Sequence, residues 1–401
     1  MKLSILGSTG SIGVSTLDVI DHINSIGSDR IEIDALIAGQ NVDLIVEQAR
    51  KFQPNLVVLQ NESCLDELRG RLADTKIECA VGETAILEAM SRPIDKVMAA
   101  ISGTGGLLPT MAAAEAGHDI LLANKEAMVC AGPLLKAIAQ RSGSAIIPVD
   151  SEHNAILQCL DRSNAIESVT LTASGGPFRT APIEAMARAT PAEALAHPNW
   201  AMGAKNSLDS ATMMNKGLEL IEAVYLFDLP QSKINVVVHP QSIIHSLVSY
   251  IDGSCLAQMG TPDMRTPIAY ALSEPGRYPT DVKRLNLIEI SKLDFEALDE
   301  ARFPAIRISR DAADAGMLGT SVFNAANEAA GLAFLQKQCG FLDISRLVSD
   351  CLSQALDRRN NEMPHQIRSV DDVMYVTETV RSWVAGQIRQ ETGNTLNVAH
   401  S

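Results

Sequence analysis

Asp150 and Glu152 follow the apolar run Ile146-Ile147-Pro148-Val149. They are two positions apart, so an extended backbone would put both carboxylates on one side. Convergent carboxylates at a strand end suit a hard cation such as Mg²⁺ or Mn²⁺. On these residues alone helix capping is the commoner explanation, because Asp or Ser often precedes a helix. Further along, the sequence reads Asp209-Ser210-Ala-Thr-Met-Met-Asn215-Lys216-Gly-Leu-Glu219. Ser210 suits a helix start. The spacings of Asn215, Lys216 and Glu219 put these side chains on one helix face. That face is either solvated, with an internal ion pair, or it lines a cavity among Met213, Met214, Leu218, Leu220 and Ile221. In the second case Glu219 is a third carboxylate for a metal, and Lys216, Asn215 and Ser210 are phosphate donors.

A glycine turn, Gly7-Ser-Thr9-Gly10-Ser11-Ile12-Gly13, joins the first expected strand to the first expected helix. Such a turn lets the backbone approach a pyrophosphate, with the helix N-terminus behind it. It could also serve strand–helix packing alone. Asp34 lies about 20 residues beyond the turn, where an NAD-binding carboxylate would be expected. It falls in mid-strand, however, and the strand ends in Gly39-Gln40-Asn41 without an acid, which favours NADP(H).

Thr172-Ala-Ser174-Gly175-Gly176 is a second possible anion cradle. Ala123-Asn124-Lys125-Glu126 follows a strand where cofactor and substrate meet in such sheets, although the pair Lys125–Glu126 alone would read as exposed. His197-Pro-Asn-Trp200-Ala-Met202-Gly203 is either a surface loop pinned by its tryptophan or a lid that closes over a substrate. Cys130 and Cys159 have no activating neighbour in sequence and read as core residues, while His239 and His245 read as packing or hydrogen-bonded groups.

These residues need a scaffold. Up to residue 150, short apolar runs alternate with helical patterns: Leu3–Leu6, Ile31–Ala38, Asn55–Leu59, Lys96–Ile101, Asp119–Leu122 and Ala145–Val149. The alternation predicts an α/β fold, a doubly wound parallel sheet covered on both faces. Residues 151–274 read as an α+β domain, with a strand at Ser168–Ala173 and one long helix over Leu208–Phe227. Asp252-Gly253 predicts a hairpin turn. Residues 275–299 read as a linker, and 300–401 as a helical domain whose last ten residues form a frayed tail.

Composition narrows the function. A net charge of −15 disfavours nucleic acid and anionic lipid as partners. Seven scattered cysteines, with no C-x-x-C, predict reduced thiols in a cytoplasmic setting. Met1 runs directly into an apolar strand, so no signal segment is expected. The charge-free stretch from Val97 to Ala114 is interrupted by Gly103, Gly105, Gly106 and Pro109 and does not read as a membrane span.

The motifs GSTGSIG from Gly7, ANKE from Ala123, PVDSEH from Pro148, TASGGPF from Thr172, HPNWAMG from His197, DSATMMNKGLE from Asp209, HPQS from His239 and NAANE from Asn324 occur together and in this order. In this the chain resembles the 1-deoxy-D-xylulose 5-phosphate reductoisomerases. The resemblance implies NADPH-dependent isomerisation and reduction of that phosphorylated sugar to 2-C-methyl-D-erythritol 4-phosphate, in non-mevalonate isoprenoid precursor biosynthesis. It implies Mg²⁺ or Mn²⁺, with Co²⁺ a further possibility, held by Asp150, Glu152 and Glu219. Substrate contacts would come from Lys125, Ser151, Glu152, Ser174, His197, Trp200, Ser210, Asn215, Lys216 and Glu219. Cofactor contacts would come from Gly7, Thr9, Gly10, Ser11, Ile12, Gly39, Gln40, Asn41, Asn124, Glu126 and Gly203. It also implies a homodimer with an NADPH domain (1–150), a catalytic domain (151–274) and, beyond the linker, a helical domain. One departure is visible: Gly203-Ala204-Lys205 has a single basic residue where a basic pair is expected. Among rivals, a phosphorylating semialdehyde dehydrogenase would need an activated cysteine, and a non-catalytic NADPH sensor has no use for three convergent carboxylates.

Overall fold

The computed structural model describes residues 1–27, 29–161, 163–196, 203–357 and 360–398. Contacts group the chain into two compact units. The first comprises residues 1–127, 134–158 and 263–285, and the second residues 128–133, 159–262 and 286–401.

The first unit is built on seven strands: β1 (Lys2–Leu6), β2 (Glu32–Ala38), β3 (Leu56–Leu59), β4 (Glu78–Val81), β5 (Lys96–Ala99), β6 (Asp119–Leu122) and β7 (Ile146–Pro148). All pairs are parallel, in the order β4-β3-β2-β1-β5-β6-β7. The apolar runs expected to be strands are strands because both faces of the sheet are covered; Leu3, Ile5, Leu36, Val57 and Leu121 are fully buried. β4 was not among the expected strands. It is a short edge strand, partly exposed, with a glutamate at its start. The strand order reverses between β1 and β5, and in open sheets of this kind ligands bind beyond the carboxyl ends of the strands at that point.

Residues 263–285, expected to close one domain and open a linker, pack with the first unit. The helix Arg265–Ser273 lies against the helix Ser11–Ile26. Its Ile268, Ala269 and Leu272 join the same apolar cluster as Leu17 and Ile20. Lys96 Nζ donates to the carbonyls of Ala271 and Leu272 at 3.4 and 3.2 Å, a cation at a helix C-terminus. Arg265 donates to Asp18, Asp263 and Asp281, and this ring of acids raises its pKa further.

The second unit holds a four-stranded sheet of β8 (Ile166–Ala173), β9 (Ile234–Val238), β10 (Ile244–Tyr250) and β11 (Cys255–Met259), ordered β11-β10-β8-β9. β8 and β9 are parallel and the other pairs antiparallel, so the expected mixed α+β character holds. The predicted turn joins β10 to β11, with Asp252 Oδ1 accepting from Ser254 N and Oγ at 2.9 and 2.6 Å.

The single helix expected over Leu208–Phe227 is two helices, Ala204–Ala211 and Met214–Phe227. Met213 between them is left-handed, with φ of 62°. Thr212 supports the break: its hydroxyl donates to the carbonyls of Leu208 and Asp209 and accepts from Met214 N at 3.3 Å, bonds that compete with a continuous helix. The C-terminal part is helical as expected, with helices Ala305–Asp314, Gly316–Leu335, Phe341–Leu356 and Val370–Val398. The last of these runs through most of the stretch read as a frayed tail. No helix among the described residues is long and apolar enough to cross a membrane.

Candidate active site

In the first unit, Gly7 turns with φ of 88°, and Gly7 N and Ser8 N donate to Ile37 O on the neighbouring strand at 2.9 and 2.8 Å. Gly13 sits where a Cβ would lie 2.3 Å from Gly7 O, so the helix Ser11–Ile26 can approach the turn only with glycine there. Gly10 occupies the cap position and has no side chain to cap the helix, which leaves N–H groups of the first turn for an anion. Thr9, Ser11 and Ile12 belong to the same turn and helix start.

At the end of β2, Gly39 and Gln40 are exposed, and Asn41 caps the next helix by accepting from Leu44 N at 3.1 Å. Asp34 is buried at the other half of the strand. Its carboxylate accepts from Arg92 Nε at 2.6 Å and Asn55 Nδ2 at 2.7 Å, so it is a structural ion pair and not a ribose ligand. Asn124 ties two strand ends together. Its Nδ2 donates to the carbonyls of Ile101 and Gly103, and its Oδ1 accepts from Ala127 N at 2.7 Å.

Lys125 and Glu126 are buried, contrary to the exposed reading of that pair. Lys125 Nζ lies 2.5 Å from Asp150 Oδ2. Asp150 immediately precedes the helix Ser151–Cys159: its Oδ1 accepts from Ser151 N at 3.1 Å, and its carbonyl accepts from Asn154 N at 2.9 Å. Glu152 is in the first turn of that helix, where its Oε2 accepts from Ser151 Oγ at 2.6 Å. The extended geometry expected for Asp150 and Glu152 is therefore replaced by a helix start, because β7 ends at Pro148.

In the second unit, β8 runs into Ser174-Gly175-Gly176, whose glycines have φ of 84° and 65°. Ser174 Oγ accepts from Gly176 N at 3.2 Å. A Cβ on Gly176 would lie 2.8 Å from Ser210 O, so this turn rests directly on the helix Ala204–Ala211. Ser210 is in the last turn of that helix, not at a helix start. The break at Met213 then opens a new helix with Asn215 and Lys216 in its first turn. Asn215 Nδ2 and Lys216 Nζ donate to separate oxygens of Glu219. Lys216 is 4% exposed and Glu219 is fully buried, which excludes the solvated-face reading. Gly217 lies on the opposite side of the same helix, where Phe323 and Ser309 would both crowd a Cβ.

His239 is a packing histidine, as expected. Nε2 accepts from Ile243 N at 3.2 Å, so the ring proton is on Nδ1, which donates to Asp294 O at 2.8 Å. Gly203 opens the helix that follows the expected lid; His197 and Trp200, with the rest of 197–202, lie outside the described residues.

Family profiles match three stretches of the chain: "1-deoxy-D-xylulose 5-phosphate reductoisomerase" over residues 3–132, the C-terminal domain of that enzyme over 146–227, and "DXP reductoisomerase C-terminal domain" over 259–383. The reductoisomerase of Caulobacter vibrioides is 54% identical over 355 residues, 88% of each chain. That of Rhodospirillum centenum is 48% identical over 396 residues, 98% of this chain and 96% of its own. The chain belongs to the 1-deoxy-D-xylulose 5-phosphate reductoisomerase family.

Solved reductoisomerases share the fold. One, in complex with NADPH, fosmidomycin and magnesium, has a TM-score of 0.91 at 40% identity and covers 98% of this chain and 99% of its own. The Zymomonas mobilis enzyme with NADPH has a TM-score of 0.89 at 42% identity, covering 96% and 98%. Two of the cysteines sit where burial disfavours a reactive thiolate. Burial pushes Cys339 up to about 11 and Cys351 up to about 12. Cys130 is buried, whereas Cys159, expected in the core, is half-buried.

Proposed function

We infer that the chain converts 1-deoxy-D-xylulose 5-phosphate to 2-C-methyl-D-erythritol 4-phosphate with NADPH and a divalent metal, in isoprenoid precursor synthesis. The observation that carries this reading is family membership along nearly the whole chain, with the glycine turn and the buried lysine–carboxylate pairs each built into its fold.

The residue roles are part of the proposal. Asp150, Glu152 and Glu219 would hold Mg²⁺ or Mn²⁺. Their chemistry fits: they are hard oxygen donors, and Asp150 and Glu219 each already face an ammonium group. A divalent cation held there supplies Lewis acidity toward the ketone and hydroxyl oxygens of the substrate. Ser174, Ser210, Asn215 and Lys216 bind the phosphate; Ser151 and Lys125 orient the hydroxyl and carbonyl region. The phosphate is remote from the reacting carbons, so its binding energy can be used to close the lid and align them. The resemblance would give residues 197–202, which lie outside the described residues, the role of that lid, with His197 and Trp200 among the substrate contacts. The turn Gly7–Ile12, Gly39–Asn41, Asn124, Glu126 and Gly203 hold NADPH, which supplies the hydride.

In this reading residues 1–150 bind NADPH, 151–274 carry catalysis, 275–299 link them to a helical part at 300–401, and the protein acts as a cytoplasmic homodimer. The family resemblance supports each of these points. NADPH oxidation with 1-deoxy-D-xylulose 5-phosphate, with and without EDTA and added Mg²⁺ or Mn²⁺, tests the reaction. Turnover that EDTA abolishes and metal restores is expected. Turnover indifferent to EDTA, or NADPH binding without oxidation, would overturn it.

A further inference from the structure

We propose that Asn327 is a positioning residue for the phosphate subsite, acting through Asp209; this rests on the reading of Ser174, Ser210, Asn215 and Lys216 given above. Asp209 is the residue before Ser210, in the last turn of the helix Ala204–Ala211, and its side chain is buried. Each carboxylate oxygen is held from a different side. Lys205 Nζ, one turn earlier on the same helix, donates to Oδ2 at 2.8 Å. Asn327 Nδ2, from the middle of the helix Gly316–Leu335, donates to Oδ1 at 2.8 Å.

Asn327 is 1% exposed, and its Oδ1 has no hydrogen-bond partner among the described residues. A buried amide with one oxygen unsatisfied is costly, so its bond to Asp209 is its visible purpose. A carboxylate only accepts, which also fixes the amide with Nδ2 toward Asp209. Gly331, one turn further along the same face, lets Leu208 approach so closely that a Cβ there would meet Leu208 Cδ2 at 3.3 Å. The helix bearing Ser210 is thus fixed by an apolar contact at Leu208 and a polar one at Asp209.

The consequence reaches the subsite directly. Ser210 follows Asp209, and the carbonyl of Ser210 is the surface on which Gly176 rests. A shift of Asp209 therefore moves Ser210 and the turn carrying Ser174 together. Sub-ångström errors of this kind weaken substrate binding without touching the reacting atoms.

The test is steady-state kinetics on Asn327→Ala and on the exchanged pair Asp209→Asn/Asn327→Asp, in which Asn at 209 can donate to Asp at 327. We expect Asn327→Ala to raise KM for the phosphorylated substrate about 10-fold. The inhibition constant of inorganic phosphate should rise in parallel, with kcat and NADPH affinity near wild type. The exchanged pair should recover part of that loss while Asp209→Asn alone does not. Unchanged KM and phosphate inhibition in Asn327→Ala, with only a lower Tm, would overturn the inference, as would an exchanged pair worse than either single variant. Should Asn327→Ala fail to fold, Asn327→Ser is assayed under the same criteria. Ser210→Ala separates the two levels. If it raises KM while the Asn327 variant does not, only this inference fails; if neither does, the phosphate subsite itself is misassigned.

Discussion

The turn after β1 and the turn after β8 both depend on glycine, but they present different chemistry. The first presents backbone: Gly7, Gly10 and Gly13 clear space so that N–H groups at a helix start can face an anion. The second presents side chains: Gly176 lets the turn rest on Ser210 O, and the donors proposed for it are Ser174, Ser210, Asn215 and Lys216, the last held on a buried carboxylate. A backbone site depends on shape and tolerates changes in its other side chains. A side-chain site depends on residue identity and on everything that packs behind it. Damage to the first should therefore affect the cofactor alone, and damage to the second the substrate alone.

The largest effect is expected from Gly13→Val. Its Cβ would fall 2.3 Å from Gly7 O, and the helix start must move away. NADPH affinity, followed by fluorescence titration, should fall by about 100-fold or more. Undiminished affinity would reduce the turn to a packing device. Lys216→Ala comes next. It removes a charge-assisted donor and should raise KM for the phosphorylated substrate by about 10- to 100-fold with NADPH binding unchanged. Wild-type KM would break the side-chain half of the comparison. Gly176→Ala asks a residue at φ of 65° to take a Cβ 2.8 Å from Ser210 O. A rise in KM of about 10-fold, again without effect on NADPH, is expected.

Asp34→Asn should have the smallest functional effect. Arg92 loses a buried carboxylate partner, so Tm should fall by several degrees. The preference for NADPH over NADH should stay as in wild type, because Asp34 is bound to Arg92 and Asn55 and the end of β2 has no acid. A changed cofactor ratio would return Asp34 to the ribose.

The two regions also differed in how far the sequence disclosed them. The parallel sheet was legible because its strands are buried on both faces and read as continuous apolar runs. β4 was not, since Glu-Cys-Ala-Val at an edge has neither that run nor clear alternation. The glycine turn announced itself by residue type. The break at Met213 did not, because neither glycine nor proline marks it, and the Thr212 hydroxyl that supports it is an ordinary helix residue by sequence. Whether Lys216 and Glu219 were solvated or buried could not be decided from their spacing, because spacing sets which helix face they share and not what packs over it. Asn327 stood within a recognisable motif, but its partner Asp209 is 118 residues distant, and pattern alone does not pair them.

The central claim is that Glu219 is a metal ligand and not merely the partner of Lys216. Mn²⁺ titration of wild type and Glu219→Gln by calorimetry, beside NADPH titration and turnover of the same samples, tests it most directly. The substitution keeps the size of the side chain and removes its charge. Mn²⁺ affinity should fall at least about 10-fold and turnover about 100-fold or more, with NADPH affinity unchanged. Wild-type Mn²⁺ affinity together with wild-type turnover would contradict the account and leave Asp150 and Glu152 to hold the metal without it.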